Sequence, residues 1–160
     1  MHRLIVFSFG LLMATAAAAQ SNIALGGLSV DTAAAIEVVA DNLVVDQDSG
    51  TAVFEGSVAI GQGDLRITAG RVEVVYGDST AQIARLLASG GVTFVTATEA
   101  AEAQEANYDV TTGLLLLSGD VLLTQGASAI SAQEMRINVT DGTATMQGRV
   151  RTVLQQGGDE

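Results

Sequence analysis

Apolar and polar residues alternate along most of the chain in short segments, which is the period of half-buried β-strands. Residues 36–41 (IEVVAD), 65–69 (LRITA) and 71–74 (RVEV) each place an apolar side chain at every second position. Each segment therefore has one apolar face and one more polar face. This pattern predicts strands that bury one side against a shared core.

Turn-forming residues separate these segments, and the chain contains no proline. Clusters of Gly, Asp, Asn and Ser recur mostly about 10 to 15 residues apart, a spacing typical of antiparallel all-β domains. The sequence therefore predicts an all-β fold. The predicted turns are Asp48-Ser49-Gly50, Gly61-Gln62-Gly63-Asp64, Gly77-Asp78, Ser89-Gly90-Gly91, Thr112-Gly113, Gln125-Gly126 and Asp141-Gly142.

Two segments do not follow the alternating pattern. Residues 98–106, TEAAEAQEA, favour a helix by intrinsic propensity, but nine residues are too few for a helix that lacks tertiary packing. We therefore predict a strand from about Ala103 to Val110. Residues 20–35 show no clear period, and we expect them to form a flexible leader.

The chain contains an internal repeat, because residues 54–78 align without gaps on residues 117–141. Chance would give roughly two identities at this composition. Gly-x-Val steps at Gly56, Gly90, Gly119 and Gly148 recur at intervals of 34, 29 and 29 residues, which predicts strand pairs stacked into one elongated slab. The seven identities are Gly56/Gly119, Val58/Val121, Gln62/Gln125, Gly63/Gly126, Ile67/Ile130, Ala69/Ala132 and Asp78/Asp141.

The N-terminus has the three parts of a secretory signal peptide. His2 and Arg3 give a positive start, an apolar run follows from Leu4, and Ala17-Ala18-Ala19 fits the cleavage site. The apolar run is shorter than the roughly 20 residues that span a bilayer. We predict cleavage near Ala19 and export to the periplasm. The expected organisation is a signal peptide over 1–19, the leader over 20–35, one β-domain over 36–154 and a flexible tail over 155–160.

Composition excludes several classes of function. The formal net charge is −11 and lysine is absent, which argues against nucleic acid as a partner because such binding needs many cationic contacts to phosphate. The only histidine is His2, and cysteine is absent. The predicted mature chain thus lacks the usual general base, the thiol nucleophile and the zinc ligands. We expect no cofactor and no enzymatic activity.

Carboxylates are the remaining candidates for chemistry. Glu37, Asp41, Glu55, Asp64 and Glu73 cluster in the first half, but most fall out of phase with the apolar residues or in turns, which favours a solvated face over a hydrolase cleft. The stretch from Asp46 to Gly50 resembles half a calcium loop without the distal glutamate, so an ordinary turn is favoured over a metal site. Gly61-Gln62-Gly63 lacks the third glycine of a phosphate loop.

The apolar faces leave two interpretations open. They could close on each other as an ordinary core, or leave a groove with smooth aliphatic walls for alkyl chains, each buried methylene contributing about 0.8 kcal/mol. The chain has four Phe, two Tyr and no Trp, so its walls are mainly aliphatic. The candidate groove residues are Ile36, Val38, Val58, Ile60, Leu65, Ile67, Val74, Phe94, Tyr108, Leu117, Val121, Leu123 and Ile130.

Several phrases resemble the OstA-like (LptA) family of periplasmic lipopolysaccharide transport proteins. The resemblance covers residues 36–154, and the order and spacing of the phrases make it specific. Ser57 and Asp120 stand where the family's Gly-Asn-Val step has asparagine. The phrases are Ile36 to Asp41, Phe54 to Gly63, Leu65 to Ala69, Tyr108-Asp109-Val110, and Leu117 to Val121 before Gln125-Gly126.

The resemblance implies a twisted, open antiparallel β-jelly roll that holds the acyl chains of lipopolysaccharide between its faces. By motif position, Ile36, Val38, Phe94 and Tyr108 would line the groove. It also implies that copies stack end to end and bridge an inner-membrane LptC-like partner and the OstA domain of an outer-membrane LptD-like partner. Open sheet edges are compatible with such stacking.

Three alternatives remain open from the sequence. The chain could be the membrane-anchored, LptC-like adaptor of the same pathway if residues 4–19 stay attached. It could instead be a structural β-repeat protein or adhesin with a closed core and no ligand. An acidic hydrolase that uses Glu55 or Asp64 is the most distant alternative.

Overall fold

The computed structural model describes residues 21–26, 28–78 and 82–154 of the chain. Among these residues no helix is long and apolar enough to span a membrane. The described residues form eleven β-strands. They are β1 (Ser21–Ala24), β2 (Glu37–Val39), β3 (Asn42–Asp46), β4 (Thr51–Gln62), β5 (Leu65–Tyr76), β6 (Ile83–Val95), β7 (Glu99–Asp109), β8 (Leu114–Gln125), β9 (Ser128–Asn138), β10 (Thr143–Gln147) and β11 (Arg151–Val153).

All strand pairs are antiparallel, and the long strands β4 to β9 follow one another as a meander. Each outer long strand is covered by two short ones: β3 and β2 pair with successive parts of β4, and β10 and β11 pair with successive parts of β9. Strand β1 extends the sheet beyond β10. The predicted open antiparallel β-jelly roll is confirmed.

The sheet bends along a row of irregularities that crosses the middle of every long strand. In β4 the two consecutive residues Gly56 and Ser57 have φ of 82° and 48°, and the register with β5 shifts at this point. Gly90-Gly91, Gly119-Asp120 and Gly148-Arg149 repeat this conformation. Two left-handed residues in succession form a bulge that turns the strand sharply. The recurring Gly-x-Val steps of the sequence are therefore the corners of the fold.

The row of corners divides the sheet into two facing layers. Layer A contains the strand segments around residues 58–69, 92–103, 121–132 and 151–153, together with β2. Layer B contains the segments around residues 42–55, 71–76, 83–89, 105–118 and 134–147, together with β1. The hairpin tips of the two layers face each other on the side opposite the corners. We call the line between these tips the seam.

Side chains keep pointing into the space between the layers because the strands cross the corner in two different ways. Strands β4, β6 and β8 insert a two-residue bulge, so the buried positions stay in phase, as at Val58 after Ala52. Strands β5 and β7 cross with the single residues Gly70 and Gln104, and their buried positions change from odd to even numbers. The buried apolar side chains consequently form a single core between the layers.

Three expectations from the sequence are corrected. The described part of 20–35, expected to be a flexible leader, includes β1 and buries Leu25 and Leu28 against the core. Local pattern did not show this, because the strand that pairs with β1 is distant in sequence. Ser89-Gly90-Gly91 is not a turn but a corner inside β6, and the chain reverses at residues 96–98 instead. The predicted strand at Ala103 begins earlier, at Glu99, since Glu99, Ala101 and Ala103 alternate inward and tertiary packing overrides helix propensity.

Candidate lipid-binding interior

The space between the layers contains the candidate groove residues predicted from the sequence. Ten of the thirteen are exposed by 2% or less, so the structure brings them together as walls that touch one another. Ile36, Val38 and Ile130 are only partly buried and pack against the same core. The fully enclosed candidates are Val58, Ile60, Leu65, Ile67, Val74, Phe94, Tyr108, Leu117, Val121 and Leu123.

The walls of this interior are almost entirely aliphatic. Phe94 and Tyr108 are the largest of the fully enclosed side chains, and most of the others are Leu, Ile, Val and Met. Only Gln62 and Glu99 are buried among the polar residues that the structure describes. Such walls match the chemistry of a hydrocarbon chain, whose burial contributes about 0.8 kcal/mol per methylene.

Residues 22–26 and 28–36, which we call the strap, run along the seam from β10 to β2. On the layer B side, the backbone N–H groups of Leu25 and Val30 donate to the carbonyl oxygens of Gly142 and Val139, each at 2.8 Å. Three strap side chains, Leu25, Leu28 and Val30, are 2 to 4% exposed. The strap therefore closes the seam with its own apolar side chains.

Side chains at the hairpin tips of layer A hold the other side of the strap. Gln62 donates its amide N–H groups to the carbonyl oxygens of Thr32 (3.1 Å) and Ala34 (3.0 Å). Gln125 donates to the carbonyl oxygen of Ala24 at 3.3 Å. Gln62 and Gln125 are equivalent positions of the internal repeat, and this identity was a signal for their shared role. Both lie at hairpin tips of layer A, and both tips contact the strap.

Gln62 also connects the strap to the opposite layer. The Tyr108 hydroxyl, from layer B, donates to Gln62 Oε1 at 2.7 Å. Burial, with a smaller contribution from the Asp109 carboxylate, raises the pKa of Tyr108 to about 12. The phenol thus remains a neutral donor across the ordinary pH range and ties the two layers together.

Glu99 is a second polar anchor for the strap. Burial alone would raise the pKa of Glu99, but hydrogen bonds from Thr96, Thr98, Gln125 and the Gly26 N–H outweigh it and lower the pKa. The Gly26 N–H donates to Glu99 Oε1 at 2.8 Å, and Gln125 donates to the same oxygen at 3.0 Å. The stabilisation that the ionised Glu99 gives to the folded chain is present above the unfolded-state pKa and is lost as pH falls through the folded-state pKa.

An open cleft of about 520 Å³ lies between the strap and the tips of layer B. Its size is within the range of small-molecule sites. Ile36 and Ile83 in its wall also pack against the core, so the cleft adjoins the apolar interior. Its lining residues are Thr32, Ala33, Ala34, Ile36, Gln82, Ile83, Val110 and Thr111.

The two ends of the slab differ in charge. At the β2–β3 end, Glu37, Asp41 and Asp46 are exposed, and strand β3 also exposes large apolar side chains such as Val44. At the β11 end, Arg149 and Arg151 are exposed, while β1, β10 and β11 contain no acidic residue. One end is therefore acidic and apolar at its edge, and the other is basic.

The carboxylates considered for chemistry do not form a site in the described part of the chain. Glu55 pairs with Arg71 at 2.6 Å on the outer face. Asp46 accepts the backbone N–H groups of Asp48 and Ser49 within an exposed turn, and these bonds lower its pKa. No group of three or more potential metal ligands occurs among the described residues.

A two-layered antiparallel jelly roll with an aliphatic interior defines the chain as an all-β domain of the jelly-roll class. Residues 37–157 match the family described as LptA/(LptD N-terminal domain) LPS transport protein. The match covers most of the chain, so the chain belongs to this family. A comparison with curated proteins gave no match.

The fold is also similar to a solved structure. That structure is LptH, the LptA homologous periplasmic component of the conserved lipopolysaccharide transport device from Pseudomonas aeruginosa. The similarity has a TM-score of 0.69 at 17% sequence identity and covers 79% of this chain and 99% of that chain. At this identity the similarity establishes the fold.

Proposed function

We propose that this chain is a periplasmic lipopolysaccharide carrier that holds lipid acyl chains between its two layers. The observation that carries the proposal is the aliphatic interior of a chain that belongs to a lipopolysaccharide transport family. About ten buried methylenes would contribute roughly 8 kcal/mol before the costs of binding. The ligand needs no cationic site in the interior, because only its hydrocarbon tails enter it.

The enclosed state of the interior sets a condition on loading. Since ten candidate residues are exposed by 2% or less, an acyl chain enters only if wall side chains separate. The layers are continuous through the corners, so they separate most readily along the seam, with the corners as the hinge. Double left-handed bulges at Gly56, Gly90 and Gly119 provide such a hinge, because the regular pairing with the neighbouring strand is interrupted at each of them.

A site-specific photo-crosslinker tests the location of the lipid. We expect p-benzoylphenylalanine at Val38 or at Phe94 to capture lipopolysaccharide in the periplasm. The matched control is Val95, which neighbours Phe94 but is 40% exposed on the opposite face. Equal adducts at Phe94 and Val95, or none at Val38 and Phe94, would contradict an interior site.

We further propose that copies of the chain stack end to end and contact related OstA-like domains in the two membranes. The acidic β2–β3 end and the basic β11 end have complementary charge, and both carry unpaired strand edges. Val44 and Val45 on the exposed β3 edge add apolar surface. A contact between different ends is heterologous and extends into a filament instead of closing.

Charge reversal tests this assembly. We expect Arg151→Glu to shift sedimentation towards the monomer, and high salt to do the same to the unmodified chain. Arg85→Glu, an exposed change on central strand β6, is the matched control and should leave association unchanged. If the two variants associate equally, the stacking contact lies elsewhere.

A structural β-repeat protein without ligand is the second candidate, and the closed interior is the observation that favours it. Mass spectrometry of gently purified protein separates the two functions. Co-purified lipid A supports the carrier. Lipid-free protein that also fails to bind added lipopolysaccharide supports the scaffold.

A further inference from the structure

We propose that the strap is a displaceable stand-in for an acyl chain: the seam subsites filled by Leu25, Leu28 and Val30 are those that a hydrocarbon chain takes when it enters. The inference rests on the proposed lipid-carrier function. It adds that this chain regulates access to its own interior by intramolecular competition.

The first support is the chemistry of the occupied space. Leu25, Leu28 and Val30 are as enclosed as the walls, yet they belong to a segment outside the meander of long strands. A saturated hydrocarbon chain presents the same kind of surface to these walls. One occupant can therefore replace the other without leaving polar wall atoms in contact with methylenes.

The second support is the way in which the strap is held. Its carbonyl oxygens at Ala24, Thr32 and Ala34 accept hydrogen bonds from glutamine side chains, and Thr98 Oγ1 donates to the Gly26 carbonyl oxygen at 3.0 Å. Side-chain donors can rotate away and bond to water once the strap leaves. The backbone holds the strap on one side only, through the pairing of β1 with β10 and the bonds from Leu25 and Val30, whereas a long strand would have to break backbone ladders on both sides.

The third support is the place of the strap in the fold. It passes along the seam, where the hairpin tips of the layers meet without a covalent connection, whereas the opposite side is closed by the strands themselves. The cleft beside Ile36 and Ile83 lies under the C-terminal part of the strap. The lipid would meet the strap there first.

Amide hydrogen exchange provides the direct test on the full chain. We expect purified lipopolysaccharide to accelerate exchange at the Leu25 and Val30 amides by about tenfold or more, because these groups lose Gly142 and Val139 as acceptors. The Leu117 amide, within β8, should remain protected. Bound lipopolysaccharide with unchanged or slower exchange at Leu25 and Val30 would overturn the inference.

A reversible lock gives an independent test, because the chain has no cysteine of its own. An added Cβ at Gly26 would lie 3.4 Å from Thr98 Oγ1, so Gly26→Cys with Thr98→Cys can form a disulfide. We expect the oxidised lock to slow lipopolysaccharide binding about tenfold and the reduced form of the same protein to restore it. Thr68→Cys with Thr93→Cys, which pairs β5 with β6, is the control and should bind equally in both states.

A weakened anchor should have the opposite effect. Gln125→Ala removes the donor to the Ala24 carbonyl oxygen, and we expect lipopolysaccharide to associate about fivefold faster. Ser49→Ala is the control, since Ser49 bonds Thr51 in the exposed turn after β3 and does not hold the strap.

The outcomes separate the two proposals. If the reduced lock binds no lipopolysaccharide, the carrier function fails and the strap inference fails with it. If lipid binds at the same rate in the locked and unlocked forms, the carrier function stands and the strap inference alone is rejected.

Discussion

The long strands and the strap bury apolar side chains equally well but hold them differently. Leu117 in β8 lies in a strand that is hydrogen-bonded on both sides, whereas Leu28 lies in a segment held by a few backbone bonds and by side chains at hairpin tips. Local opening depends on the contacts that must break together, not on burial alone. We therefore expect the strap to open while the walls stay folded.

Truncating one leucine in a wall and one in the strap should give the largest difference in stability between the two regions. We expect Leu117→Ala to lower the free energy of unfolding by about 3 kcal/mol, because it leaves a cavity in a wall that unfolds as a unit. Leu28→Ala should cost only about 1 kcal/mol in urea unfolding, since its cost is limited by the free energy of strap opening. Equal losses would show that strap and walls unfold together.

Corner glycines test whether the walls depend on the bulges. Gly119 has a φ of +81°, and an added Cβ would lie 2.8 Å from the Cβ of Gln104. We expect Gly119→Ala to lower the free energy of unfolding by about 2 to 3 kcal/mol. Gly126, with φ of +57° and no neighbour within 4 Å, is the matched control and should lose about 1 kcal/mol by thermal unfolding.

Alkaline pH should lower stability by ionising Tyr108, whose hydroxyl donates to the glutamine that holds the strap. The pKa of Tyr108 is about 12 in the folded chain and near 10.0 when unfolded. Its stabilising contribution is therefore fully present below pH 10 and is lost as pH rises towards 12, by up to about 2 kcal/mol. Tyr108→Phe should show a smaller fall in urea midpoint over this range, and identical profiles would argue against the Tyr108–Gln62 connection.

The smallest expected effect concerns the second residue of a corner. Ser57 has a φ of 48°, a conformation that asparagine adopts more readily than serine. Ser57→Asn should increase the free energy of unfolding by about 0.5 kcal/mol, which would appear as a slightly higher thermal midpoint. Ser118→Asn, in β8 just before the next corner, serves as a control, and a gain there as large as at residue 57 would contradict the explanation.

The sequence predicted the fold class and most strands correctly because both depend on local alternation. Residues 65–69 and 71–74 are buried at every second position, as expected. The change of phase between them at Gly70 was not predicted, since nothing local shows whether a glycine inside a strand is a turn or a corner. Ser89-Gly90-Gly91 was interpreted wrongly for the same reason.

The strap was missed because its pattern is too short to show a period. Leu25, Leu28 and Val30 follow neither strand nor helix spacing over enough residues. The backbone acceptors of Leu25 and Val30 in layer B lie more than a hundred residues away. The repeated glutamines Gln62 and Gln125 were the one available signal. Their shared role follows only once the two repeats are placed side by side along the seam.

The sequence by itself determined which side chains of the long strands face the interior and that this interior is aliphatic, because burial follows the two-residue period of each strand segment. Only the tertiary structure decided that the candidate residues touch one another and that residues 22–26 and 28–36 close the seam. Such contacts join positions far apart in the chain, and local patterns carry no information about which distant segments meet.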